Sequence, residues 1–466
     1  MAAKPFLRFS DLDCIPFLAT IFCEARPMET AADAISAPAR EQVSLADLSV
    51  GVIIGRTSEF FDFFVFAIAS VLVFPAFIFS FASPLDGTLY AFLVLALGFV
   101  ARPIGTLVFT EIDRIYGRGV KLTSALFLLG TATVAISFLP SFAQEGWLTV
   151  ASLCLFRMGQ GAALGGAWDG ISSLLAMNAP EKYKARFAML PQVGAPLGLM
   201  LACGLFIFLK TTLSEEDFLS FGWRYPFFVT FAINVVALFA RVRLVLSDEF
   251  NALFTEAELN PRPAPATIRE EWRNIVIGAF TPLATLALFH MVTVFPLGWI
   301  NIYLPQDTIS LMWLEIFGAM LGLAAIVASG FIADRIGRRS LLSICALAIA
   351  IFAILSPLFL SLGVAGEALY VIVGFTLLGL SFGQSSGAVA SGFALKNRYT
   401  ASNLTADLAW MFGAGFAPFT ALYLTEKLGL WSSGLYLMSG ALATLAALTL
   451  FRRRQEERRI EDGSWR

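Results

Sequence analysis

The sequence predicts an all-α polytopic membrane protein, with about twelve transmembrane helices in two six-helix bundles. Three observations predict it. Hydrophobic residues make up 58% of the 466 residues and charged residues only 14%, and the mean hydropathy is +0.77. A soluble globule carries about 25% charged residues and needs them to clothe its surface in water. Secondly, apolar runs long enough to cross a bilayer at ~1.5 Å per residue recur along the chain. Thirdly, a polar hairpin between two such runs occurs twice. Its fuller copy is Gly330-Phe-Ile-Ala-Asp334-Arg335-Ile336-Gly337-Arg338-Arg339; the other is Asp113-Arg114-Ile115-Tyr116-Gly117-Arg118, about 220 residues earlier. A motif at the same place in each half of an apolar chain reads as an internal repeat of membrane helices.

Composition also excludes. The five cysteines form no Cys-x-x-Cys pair and His290 is the only histidine, so neither a disulfide scaffold nor a metal site is expected. The sequence carries no phosphate-binding loop, no dinucleotide fingerprint and no nucleophile-and-base constellation. The expectation is a protein that is not an enzyme, uses no cofactor and has no nucleic-acid partner. The energy source left is an ion gradient.

Lys and Arg fall unevenly. One set of connections carries Arg114, Arg118 and Lys121, then Lys182, Lys184 and Arg186, then Arg241 to Arg273, then Arg335, Arg338 and Arg339, then Lys396 and Arg398, and the tail from Arg452. The alternate connections hold only Lys210, Arg224 and Lys427. The positive-inside rule puts the first set, and both termini, in the cytoplasm.

In chain order, residues 1–47 read as a cytoplasmic tail without stable structure, with Met28 an alternative start. Residues 48–245 form the first bundle, 246–272 a central cytoplasmic linker, 273–451 the second bundle and 452–466 a basic tail that meets anionic headgroups. The first span, about Val52 to Phe79, carries Arg56, Glu59 and Asp62 on one face. Ionisable groups there are costly unless they face a cavity, a partner or the headgroups. They either anchor the helix rim or supply a carboxylate for a coupling proton. In the second span Arg102 needs a partner, with Glu59 or Asp62 as candidates, and Pro103 would kink the helix.

The fourth span, about Trp147 to Met177, places Arg157 and Gln160 on one face, and its Gly161 and Gly165 would let another helix approach closely. In the fifth, Gln192-Val-Gly194-Ala-Pro196-Leu-Gly198 would permit bending and close packing at the repeat interface. Trp223 and Tyr225 suit an interfacial belt at the start of the sixth. His290 in the seventh span reads as a hydrogen-bonded packing residue or a relay, and Glu315 in the eighth as a rim residue near the outer face. The tenth span contains Gly379-Leu-Ser-Phe-Gly383-Gln384-Ser-Ser-Gly387, polar enough to gate. The eleventh opens at Asn397-Arg398-Tyr399-Thr400 and places Asp407 one turn from Trp410.

The hairpin motif resembles the signature of the major facilitator superfamily, matched by Gly330, Asp334, Arg335, Gly337, Arg338 and Arg339. The first copy departs from it, with Tyr116 inserted and Ile112 in place of a Gly. The stretches Gly55 to Phe63, Ala101-Arg102-Pro103-Ile104-Gly105, Gln192 to Gly198 and Gly222-Trp223-Arg224-Tyr225-Pro226-Phe227 resemble the metabolite:proton symporter family within it. Departures are Arg56 for an Asn, Thr106 for a second Gly and Ala167 for a Glu. The resemblance implies the major facilitator fold and a bacterial inner-membrane carrier, working by alternating access and monomeric. It implies a small-molecule substrate, protons as the coupling ion and a role for Arg157 in coupling.

Two buried cations, Arg102 and Arg157, favour a carboxylate-bearing substrate. Glu59 and Asp62 are then expected to bind the proton with Arg157 nearby; Arg102, Arg157, Gln160, Gln192 and Gln384 to meet substrate. Asp113, Arg114, Arg118, Gly330, Asp334, Arg335, Gly337, Arg338 and Arg339 are expected to form the cytoplasmic latch. Proton-coupled symport is the reading; an exporter or antiporter, or a transporter-like sensor without turnover, are the alternatives.

Overall fold

The computed structural model describes residues 45–167, 181–245, 260–303, 308–385 and 393–461, and these form helices and no strand. The first half contains α1 (Leu45–Leu72), α2 (Pro84–Tyr116), α3 (Arg118–Ser137), α4 (Trp147–Gly166), α5 (Lys184–Thr212) and α6 (Tyr225–Val245). The second contains α7 (Leu283–Tyr303), α8 (Thr308–Ile336), α9 (Arg338–Ser361), α10 (Val364–Ser385), α11 (Arg398–Leu428) and α12 (Trp431–Glu461). Ten of these are long and apolar enough to cross a membrane. The other two, α1 and α4, carry Arg56, Glu59 and Asp62, and Arg157 with Gln160, within their apolar stretches. The tail to residue 44, the part of the expected fourth span from 168 to 177, linker residues 246–259, Gly387 and residues 462–466 lie outside the described residues.

Breaks occur where the chain cannot continue an α-helix. The first span does not run unbroken to Phe79: α1 stops at Leu72, and a short helix, Phe74–Phe77, follows with Pro75 in its first turn. Within α5, a 3₁₀ turn at Leu190–Val193 holds Pro191. Within α11, a π-helical turn at Met411–Gly415 precedes Pro418. A helix from Ala264 to Phe280 runs through the expected linker boundary at 272 and leads into α7. That helix is tied to the head of α11: Lys396 Nζ lies 2.9 Å from Glu270, and Asn397 donates to the same carboxylate at 2.9 Å. These bonds, Asn397's first, hold the Glu270 carboxyl below its usual value.

The two hairpins share one turn. α2 ends and α3 begins around Gly117, at φ 87°; α8 ends and α9 begins around Gly337, at φ 86°. Both need glycine's left-handed freedom. The Gly117 N–H donates to Asp113 O (3.0 Å) and the Gly337 N–H to Ala333 O (2.9 Å). Asp113 therefore stands where Ala333 stands. Tyr116 leaves the turn intact and moves the aspartate one residue, about 100° around the helix.

Close packing of α2 on α4 positions the centre of the first half. A Cβ on Gly161 would run into the Gly98 carbonyl, one on Gly165 into the Arg102 carbonyl, and one on Gly105 into the Ala162 backbone. Gly161→Val is expected to cost about 1–3 kcal/mol by overpacking. A thermal scan of the detergent-purified protein should show a lower midpoint, whereas Gly204→Val, with open space beside its Cα, should leave it unchanged. On α5, Gly194 packs against Arg56 and Thr57, and Gly198 against Phe60 and Phe61. These glycines therefore serve packing inside the first half rather than between halves. Trp223 is fully buried against Phe74, Phe77 and Phe227 rather than at an interfacial belt, while Tyr225 is half exposed.

Candidate functional site

Between the halves lies a small, partly open cavity. It is lined by Arg56, Glu59, Phe60 and Phe63 of α1, Gly98, Phe99 and Arg102 of α2, Arg157, Gly161 and Leu164 of α4, and Trp410 of α11. Three guanidinium groups thus face it against one carboxylate. Trp410 stacks on Phe99 (6.1 Å, 14° between planes) and stands over Arg102 at 5.8 Å. The wall is therefore cationic and aromatic.

The two α1 carboxylates are held in different ways. Glu59 is clamped by Arg56 Nη1 at 2.5 Å and by Arg241 Nη1 of α6 at 2.6 Å. Asp62, 3% exposed, accepts among the described residues from neutral groups: Thr133 Oγ1 of α3 (2.8 Å), Gln160 Nε2 of α4 (3.0 Å) and Asn234 Nδ2 of α6 (3.0 Å). Gln160 links this carboxylate to Arg157, whose Nη1 donates to Gln160 Oε1 at 3.1 Å. Arg157 is 3% exposed, lies 4.1 Å over the Phe66 ring and, among the described residues, forms no ion pair. Protonating Asp62 would weaken hydrogen bonds from neutral donors, whereas protonating Glu59 would break two ion pairs.

Arg102 pairs with neither α1 carboxylate. Its Nε lies 3.1 Å from Asp407 Oδ1 on α11, across the interface, and the same carboxylate accepts from the Thr106 hydroxyl. Glu59 and Asp62 are already satisfied, and Arg102 lies on the part of α2 packed against α11.

At the hairpin end the halves are joined twice. Asp334 accepts from the Ala185 N–H (2.9 Å) and pairs with Arg186 Nε (3.1 Å), while Arg338 Nη2 donates to Lys184 O (2.7 Å). Gly330 fits against Arg186 and Met189 at the head of α5. In the other copy, Tyr399 of α11 donates to Asp113 (3.1 Å) and accepts from Lys121 (3.0 Å), with Arg118 over its ring at 5.6 Å. Arg114 turns to Glu111 on its own helix, and Arg335 is exposed; neither reaches across.

Two expected substrate residues lie away from the cavity. Gln384 donates to Ala185 O and Ser329, both at 3.3 Å, next to the Asp334 contacts, and Gln192 sits in the 3₁₀ turn of α5. Glu315 is fully buried, with Cys203 Sγ of α5 at 3.6 Å. His290 is fully buried among Phe63, Phe99 and Phe289, and among the described residues neither ring nitrogen has a hydrogen-bond partner. Sequence reading missed Thr133 and Asn234, placed Arg241 in a cytoplasmic connection where the structure has it buried in α6 against Glu59, and left Asp407 without a role. Asn234 and Asp407 were detectable as polar interruptions of apolar runs.

Two six-helix halves, joined at one end by paired hairpins and enclosing a charged cavity, define a secondary carrier. The model of the Major Facilitator Superfamily matches residues 52–407. The inner membrane metabolite transport protein YhjE of Escherichia coli (strain K12) is 35% identical over 413 residues, covering 86% of this chain and 92% of the relative. The shikimate transporter of the same organism is 30% identical over 423 residues, covering 88% and 94%. The solved structure of the proton:xylose symporter XylE bound to 6-bromo-6-deoxy-D-glucose shares the fold, at a TM-score of 0.68 and 16% identity over 88% of this chain and 95% of that one. The chain belongs to the major facilitator superfamily, and it is an integral membrane transporter rather than an enzyme.

Proposed function

We propose that this protein is a proton-coupled symporter of a small carboxylate-bearing metabolite, working by alternating access in a bacterial inner membrane with its hairpins and termini cytoplasmic. The observation that carries this reading is Arg157, a buried cation beside the cavity with no ion pair among the described residues. A buried charge without a counter-ion is costly, and a substrate carboxylate would relieve that cost. Three guanidinium groups against one carboxylate on the wall favour the same class. Two relatives support it by name: one is a metabolite transport protein, the other carries shikimate, a carboxylate.

Asp62 is the proton site in this reading. Protonating it frees Gln160 and lets Arg157 turn to substrate, so proton and anion enter together. Glu59, clamped by two arginines, shapes the wall. The hairpin contacts close the cytoplasmic side and part when substrate leaves.

The test is uptake into proteoliposomes under an imposed inward pH gradient, with radiolabelled shikimate, succinate, glycine betaine and xylose. At least one carboxylate should accumulate above its external concentration, and the accumulation should collapse with a protonophore. Accumulation of xylose alone, or movement of none of the four by folded protein, would overturn the proposal.

A further inference from the structure

The Arg102–Asp407 pair has a position that the transport reading does not use. It is, among the described residues, the one ion pair joining a cavity-lining arginine to the second half. Arg102 is 16% exposed and faces the cavity, while Asp407 is 1% exposed behind it. The lining of α2 ends at Arg102, so Asp407 lies on the side of the cavity toward the hairpins. Trp410, one turn beyond Asp407 on α11, covers the same guanidinium from the cavity side. A substrate carboxylate reaching Arg102 would meet a cation already engaged by a protein carboxylate, and the two anions would compete for it.

We propose that Asp407 is a built-in stand-in for the substrate: without substrate its carboxylate holds Arg102, and an incoming substrate carboxylate displaces it and unties α11 from α2. This rests on the carboxylate reading of the site and adds what links occupancy to movement. The Arg102–Asp407 pair ties the halves between the cavity and the hairpin end. Its exchange for an Arg102–substrate pair lets α11 swing away from α2, so opening toward the hairpin end requires cargo. The pair also lowers apparent affinity, because only the fraction of molecules with Arg102 released is competent to bind.

The experiment measures equilibrium binding of radiolabelled shikimate and succinate to the full-length protein in nanodiscs. It compares wild type, Asp407→Asn, Asp407→Ser, Arg102→Gln and the Arg102→Gln/Asp407→Asn double variant, each first checked for a single size-exclusion peak. The neutral Asp407 variants should bind the probe about tenfold more tightly than wild type, as expected when a competitor is removed. Arg102→Gln should bind more weakly, and the double variant should show no gain. A further reading needs no variant. Hydrogen–deuterium exchange of the Arg398–Trp410 segment in wild type should rise on saturation with the probe. If wild type binds a probe but the neutral variants bind it no more tightly, or the exchange stays flat, the stand-in role is wrong and the carboxylate reading survives. If wild type binds neither probe, the carboxylate reading fails and the stand-in role with it.

Discussion

Asp62→Asn should abolish accumulation while leaving exchange of substrate across the membrane intact. Asparagine keeps the size of the side chain and can stay hydrogen-bonded to Thr133 and Gln160, but it cannot take up and release a proton. A pH gradient of one unit is worth about 1.4 kcal/mol per coupled proton, or about tenfold accumulation. Wild-type proteoliposomes should reach that ratio, and the variant should stop at a ratio of one. Counterflow, which needs no net proton movement, should persist within a few fold. Loss of both activities in a folded variant would make Asp62 part of the binding site instead. By the same logic Glu59→Gln should lower protein stability more than coupling, since it breaks pairs with Arg56 and Arg241.

Asp334→Asn should open the hairpin end and slow net transport. Asp334 joins α8 to the head of α5 through one backbone N–H and one guanidinium. Hydrogen bonds to a charged group are worth about 1.5–3 kcal/mol. Weakening them is expected to shift the balance toward the state open at that end by roughly ten- to a hundredfold. Met189, buried where Gly330 meets α5, offers a reporter. A cysteine placed there should react with a water-soluble maleimide much faster in the Asp334→Asn background, and uptake should fall. Unchanged labelling and unchanged uptake would remove Asp334 from the latch.

The fold was legible because a bilayer permits few solutions. Backbone polar groups in hydrocarbon must be satisfied within the helix, so each span is written as a long apolar run. The duplicated hairpin marked the repeat, and its glycine kept the turn even where Tyr116 displaced the aspartate. The residues of the centre were legible for the same reason: Arg157, Gln160 and Asp62 are expensive in lipid and therefore stood out.

Their partners were not legible. Arg102 was expected to meet Glu59 or Asp62 on the first span of the same half, whereas its partner is 305 residues away on the opposite half. Nothing local in either helix encodes that pairing; it follows from how the halves dock. Gln192 and Gln384 were expected to meet substrate, but Gln192 lies in the 3₁₀ turn of α5 and Gln384 at the closed hairpin end against Ala185. Glu315 and Trp223 were placed at a membrane rim from their distance to a helix start, and tertiary packing buries both. Depth along a helix can be counted from sequence, but the face turned to a neighbour depends on docking.

The most direct measurement of the central claim is proton movement with substrate entry, followed in a lightly buffered suspension of de-energised proteoliposomes. Adding the carboxylate that wild type accumulates should alkalinise the medium in a fixed ratio to substrate taken up, and Asp62→Asn should give no alkalinisation. Substrate entry without proton uptake in wild type would contradict the account.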